Sequence, residues 1–168
     1  MAGVVTTAGQ DPSASVATVF EFLKTDFGFT AVNARRERSG FELRYQKNGV
    51  GVLIDWHPRD PFTAWLVRLV DGTFPPRGQT LMRADSTLYY FDLGHLVSYR
   101  GGAAEWTDAY VPSPENAAVL ARALLEYGRP LLEGDVGQFD ALQEYVKERA
   151  RQVTIAHYGE DYARTLGW

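Results

Sequence analysis

The feature that most constrains this chain is a hydrophobic period of two that runs into a tight-turn signal. Phe41, Leu43 and Tyr45 alternate with Glu42, Arg44 and Gln46, as a strand with one buried face requires. Asn48-Gly49 follows at once. That pair tolerates the positive φ angles of a two-residue type I′ turn, so the chain is predicted to reverse directly into a second strand over 50–56. Any fold for this sequence must accommodate that hairpin.

The neighbouring segments extend it. Residues 29–37 read as a leading strand. After the loop His57-Pro58-Arg59-Asp60-Pro61, where the prolines and their preceding residues resist helix, 63–70 places Trp65, Val67 and Leu69 on one face until Asp71-Gly72 closes the run. The expected sheet is a four-stranded antiparallel meander with short turns. Ahead of it, Val16, Val19, Phe20, Leu23 and Phe27 recur at spacings of three and four, the stripe of a helix capped by Ser13 or Ser15 and stopped by Gly28.

Beyond the meander, 73–85 holds Pro75-Pro76 and Gly78 with few apolar residues, which predicts a long loop or an irregular edge. Residues 88–91 suit a short strand, and Asp92 suits the cap of a helical turn carrying Leu93, Leu96 and Val97 before Gly101-Gly102. Ser113-Pro114 starts a helix with Ala117, Leu120, Ala121, Leu124 and Leu125 on one stripe, ending at Gly128. Asp135 or Gln138 opens another, with Phe139, Leu142, Val146, Ala150 and Val153 inward. The class is α+β: an N-terminal helix, the four-stranded antiparallel meander, and C-terminal helices packed on the sheet. A length of 168 residues suits one core. No polar linker interrupts it, so a single domain is expected over 13–168, behind a flexible tail over 1–12.

Charge and composition narrow the partners. A net charge of -4 gives no general attraction to phosphate backbones or anionic lipid, so neither nucleic acid nor membrane is an expected partner. The chain lacks cysteine, and with it disulfides and thiolate metal sites. Its first residues carry no secretory signal pattern and no later stretch is a membrane-spanning run, so a cytoplasmic location is expected.

Titratable groups concentrate at Asp55, His57 and Asp60 in the strand-end loop, with Asp92 and His95 three apart on the helical turn. Imidazole and carboxylate suit a divalent cation or acid–base work if the fold unites Asp55/His57 with Asp92/His95. The plainer reading makes the aspartates turn and cap residues and His95 a surface group; His157, late in the last helix, reads as structural. There is no Gly-x-Ser-x-Gly elbow, and Gly49-Val50-Gly51 lies in a hairpin instead of a phosphate-binding strand-to-helix turn. No catalytic, cofactor or metal residue is therefore assigned. Arg35, Arg36, Arg38, Arg44 and Lys47 make the first hairpin basic, yet Phe41 and Tyr45 belong to the opposite strand face, which disfavours a base-stacking surface.

Aromatic residues are abundant, with Phe 9, Tyr 9 and Trp 4, and several fall outside the core pattern, among them Tyr90, Tyr158, Tyr162 and Trp168. Aromatics either complete a core or anchor an interface. Trp106, Tyr110, Tyr89 and Tyr99 are the expected partner-binding residues. Val19-Phe20-Glu21-Phe22-Leu23 with Phe27-Gly28-Phe29, then Phe41-Glu42-Leu43-Arg44-Tyr45, and Leu131-Leu132-Glu133-Gly134-Asp135 with Phe139 resemble small bacterial proteins akin to the immunity proteins of polymorphic toxin systems. The resemblance implies a cytoplasmic protein-binding module without cofactor, an inhibitor of a cognate toxin domain and not an enzyme. The competing expectations are a small metal-dependent enzyme using Asp55/His57 and Asp92/His95, and a self-associating scaffold.

Overall fold

The computed structural model describes residues 12–37, 40–78, 81–103 and 111–168, apart from the side chains of 33–37. The chain runs through α1 (Pro12–Val19), α2 (Phe22–Thr25), β1 (Thr30–Glu37), β2 (Gly40–Lys47), β3 (Val50–Trp56), β4 (Thr63–Arg68), β5 (Tyr90–Asp92), α3 (Leu93–Tyr99), α4 (Pro114–Tyr127), α5 (Arg129–Glu133), α6 (Gln138–Tyr158) and α7 (Glu160–Thr165). The class is α+β, with the helices packed on an antiparallel sheet. Among the described residues no helix is long and apolar enough to cross a membrane. The tail expected over 1–12 lies outside the described residues, save Pro12, which opens α1.

The hairpin forms as its turn chemistry requires. Asn48 and Gly49 both adopt positive φ, 43° and 85°, and the pairing continues without slippage from Lys47↔Val50 to Phe41↔Trp56. The sheet has five strands in the order β1-β2-β3-β4-β5, one more than the meander read from sequence. The extra strand is β5, which pairs Trp65↔Asp92, Leu66↔Phe91 and Val67↔Tyr90 on the edge of β4. No tight turn links the two, and three residues offer too little period to announce a partner so distant in sequence.

The N-terminal helix departs from expectation by forming in two pieces. Pro12 takes the first turn, where its missing N–H is harmless, so neither serine is the cap: Ser13 is buried inside that turn, and the Ser15 hydroxyl donates back to the Pro12 carbonyl at 3.0 Å. The break follows from tightening at Glu21 N–H to Thr18 O, 3.3 Å, and Leu23 N–H to Phe20 O, 3.1 Å. Val16, Phe20 and Leu23 nevertheless remain fully enclosed.

The main core lies between the helices and one sheet face. Phe41, Leu43, Tyr45, Val52, Ile54, Leu66 and Phe91 from the strands meet Phe20 from the α1–α2 junction and Leu96, Leu120, Leu124, Phe139 and Leu142 from the helices. Phe91 and Phe139 stack with ring centroids 5.4 Å apart. Each fully enclosed side chain of this size contributes roughly 1.5–3 kcal/mol. The inward stripe expected on α6 ends early. Phe139, Leu142 and Val146 are buried, but Val153, in the second half of the 21-residue helix, is 53% exposed.

The opposite sheet face is covered by chain rather than by helix. Asp71 and Gly72, with φ of 50° and 72°, turn the segment after β4. Phe74 then lies across Gly51, where an added Cβ would fall 2.9 Å from Phe74 Cε1 and from Leu69 Cδ2. Leu53, Val67 and Leu69 form a second small core there, with Trp65, Phe74 and Tyr90 against it. The expected 73–85 loop is thus irregular but not remote: its first residues roof the outer face.

Candidate functional site

Strand register builds a charged site beside that second core. The hairpin places Glu42 opposite Asp55, and β3 places Asp55 opposite Thr63. Two carboxylates facing each other across a strand pair repel unless cations intervene. Two arginines do so. Arg44, two residues along the same strand, holds Glu42 Oε2 through its Nε at 3.1 Å and also through Nη2. Arg77 arrives from the roofing loop: its Nη1 donates to Asp55 Oδ2 at 2.7 Å and lies 3.6 Å from Glu42 Oε1.

Arg77 is held as well as holding. Its guanidinium lies 5.3 Å from the Trp65 ring centroid and 5.4 Å from that of Tyr90, within range of cation–π attraction. The Tyr90 hydroxyl donates to the Pro75 carbonyl at 2.6 Å, fixing the loop just before Arg77. Burial pushes the Tyr90 pKa up, against the opposing pull of Arg77 and Arg44, which keeps that donor proton in place.

His57 continues the outer face two residues past Asp55. Its Nε2 lies 3.4 Å from Asp55 Oδ1, an oxygen shut off from solvent with no hydrogen-bond partner. Gly40 makes room for the imidazole. A Cβ there would fall 2.8 Å from His57 Nδ1 and collide with the Trp56 carbonyl oxygen.

Next to this network opens a cleft of about 460 Å³, lined by Asp55, Asp60, Asp92, Thr63, Trp65 and Arg77 among others. Three carboxylates against one guanidinium make it acidic, and the indole gives it an apolar wall. The Trp65 Nε1 is enclosed and without a hydrogen-bond partner. Such a site suits a cation carried on a flat or aliphatic body.

The structure unites part of the expected titratable set. Asp55 and His57 meet, and Asp92 reaches the same cleft. Both Asp92 oxygens are engaged, however: Oδ1 accepts from Gly94 N–H at 2.7 Å as the cap of α3, and Oδ2 accepts from the Thr63 hydroxyl at 3.0 Å. His95 is exposed on α3, and Glu42 takes the third place beside Asp55 and His57. Of the expected partner-binding aromatics, Trp106 and Tyr110 lie outside the described residues. Tyr89 is half-buried, its backbone carbonyl bonded to Arg68 N–H at 2.8 Å. Tyr99 packs on Tyr145 at 5.4 Å, under the Arg100 guanidinium. Within the basic hairpin, Arg44 is committed to Glu42 and Phe74, while Lys47 reaches the Leu132 carbonyl at 3.4 Å over the Phe29 ring. The side chains of Arg35 and Arg36, and all of Arg38, lie outside the described residues.

Sequence reading passed over Glu42, Trp65 and Arg77 as site residues. A signal existed for the first: residues equidistant from the Asn48-Gly49 turn must pair, which sets Glu42 against Asp55. None existed for Arg77, which follows two prolines in an aperiodic loop. No family model matches the chain, and comparison with curated proteins and with solved structures gave no match.

Proposed function

We propose that the chain is a protein-binding module whose outer-face cleft receives a basic side chain of a partner. The observation that carries this reading is the cleft's own arrangement: Asp55, Asp60 and Asp92 around a Trp65 wall, with the Arg77 guanidinium already seated against Asp55 and the indole. With Asp55 held by Arg77 and both Asp92 oxygens engaged, exposed Asp60 is the carboxylate open to a partner's guanidinium, within the negative field of the other two. Aromatic and charge-paired residues at a desolvated centre dominate interface energetics. A charge-assisted hydrogen bond there contributes about 1.5–3 kcal/mol.

The finer reading is an immunity-type inhibitor acting in the cytoplasm, its acidic cleft covering a basic surface of a toxin domain. The net charge of -4 and the resemblance carried by the segments around Phe20, Phe41 and Phe139 support it. Toxin domains that act on nucleic acid present such basic surfaces, and an acidic inhibitor gains association rate and selectivity from the complementarity.

Affinity capture from a native-host lysate tests the proposal, with wild type compared against Asp60→Lys. Asp60 is an exposed cleft residue whose side chain makes no hydrogen bond or ion pair among the described residues, and circular dichroism of the variant checks that it is folded. A stoichiometric partner retained by wild type and lost by the variant is the expected result. Equal capture by both proteins, or no stoichiometric partner, defeats the proposal.

A further inference from the structure

We infer that Glu42, Asp55 and His57 form a binding site for a divalent transition-metal ion, with Zn²⁺ the best fit. One ligand atom from each residue lies within 4.8 Å of the other two. Two carboxylates and an imidazole are a donor set that zinc accepts, and three protein ligands leave a tetrahedral ion one position for water or an outside group. The cluster is enclosed: the Glu42, Asp55 and His57 side chains are 12%, 11% and 28% exposed.

Each carboxylate is divided in the same way. Arg77 takes Asp55 Oδ2 and Arg44 takes Glu42 Oε2. The remaining oxygens are differently placed. Glu42 Oε1 is 3.6 Å from Arg77, beyond a hydrogen bond. Asp55 Oδ1 has no hydrogen bond at all, on a residue only 8% exposed. An outer partner that fixes one oxygen and leaves its twin for the metal is how second-shell groups orient carboxylate ligands. The arginines fill that role here.

The distance between Asp55 Oδ1 and His57 Nε2 points the same way. At 3.4 Å it is long for an N–H···O bond. It matches the edge of a tetrahedron whose metal–ligand bonds are about 2.0–2.1 Å, an edge of roughly 3.3 Å. A buried acceptor left unpaired is costly, and an ion held between the two atoms satisfies both. Gly40, by admitting the imidazole against the strand, is a positioning residue for this site.

Calorimetric titration of chelator-treated protein with ZnCl₂ decides the matter, supported by the visible spectrum of the Co²⁺-substituted protein. The expected result is one Zn²⁺ per chain with micromolar or tighter affinity. His57→Gln and Glu42→Gln should each weaken binding at least about tenfold, with His95→Gln unchanged. Wild type should also show the intensified spectrum of four-coordinate Co²⁺, lost in His57→Gln. Circular dichroism confirms that each variant is folded, and two independent ligand variants guard against one misfolding. Absence of Zn²⁺ binding by wild type, or equal binding by folded His57→Gln, overturns the inference.

Discussion

Replacing Arg77 by methionine removes the guanidinium while keeping most of the stem's volume, and the consequences follow from the contacts it makes. Asp55 sits opposite Glu42 with its side chain 11% exposed, and Arg77 Nη1 is 2.7 Å from its Oδ2. Unit charges about 4 Å apart attract by about 4 kcal/mol at an effective dielectric of 20. Arg77 is itself 37% exposed, and solvent screening brings the ionic contribution to roughly 2 kcal/mol. The lost cation–π contacts to Trp65 and Tyr90 add about 1 kcal/mol. Arg77→Met should therefore destabilise the fold by about 3 kcal/mol at neutral pH, read by urea unfolding with chelator present. Asp55→Asn in the same background should restore roughly 1–2 kcal/mol, because the uncompensated carboxylate is gone. The four proteins form a double-mutant cycle. A coupling energy below about 0.5 kcal/mol, or an Arg77→Met protein as stable as wild type, refutes the idea that this arginine neutralises the facing carboxylates.

Gly51→Ala would press a methyl group against Phe74 and Leu69 at 2.9 Å; thermal unfolding should show a loss of about 1–3 kcal/mol, largely relieved when Phe74→Leu is added. Ser113→Ala removes the hydroxyl that accepts from Asn116 N–H at 3.1 Å at the start of α4, and urea titration should register a loss of about 1 kcal/mol. Burial, with a smaller contribution from Glu21, pushes the Tyr45 pKa up to about 12. The folded state keeps the phenol proton that the unfolded chain loses near pH 10, so the stabilisation is whole below pH 10 and declines as pH rises toward 12. Tyr45→Phe should flatten that alkaline decline in a stability-versus-pH series by an amount on the order of 2 kcal/mol.

How far the sequence discloses this molecule depends on whether a signal is local. The hairpin was legible because alternation and Asn48-Gly49 lie within ten residues of each other, and its register carried Glu42 to Asp55. Asp92 and Ser113 were legible as caps, since a cap acts on backbone two or three residues away. The edge strand β5 was legible as a short strand but not as a member of the sheet, because its pairing to β4 spans a connection with no turn signal. Val153 fits the helical period of α6 yet is exposed: periodicity tells which face turns inward, not how far along the helix the packing on that face extends. Asp55 and His57 were visible as a pair of functional types. Arg77 was not, since its role comes from a loop path fixed by Phe74 over Gly51 and by Tyr90 on the Pro75 carbonyl.

Hydrogen exchange of the chain alone and bound to its captured partner tests the central claim most directly. If the cleft receives a partner's basic side chain, amides in the loop after β3, in β4 and around Arg77 should slow on binding, with α6 and α7 unchanged. Protection confined to α6, α7 or another helical face, with the cleft unaffected, would contradict the account.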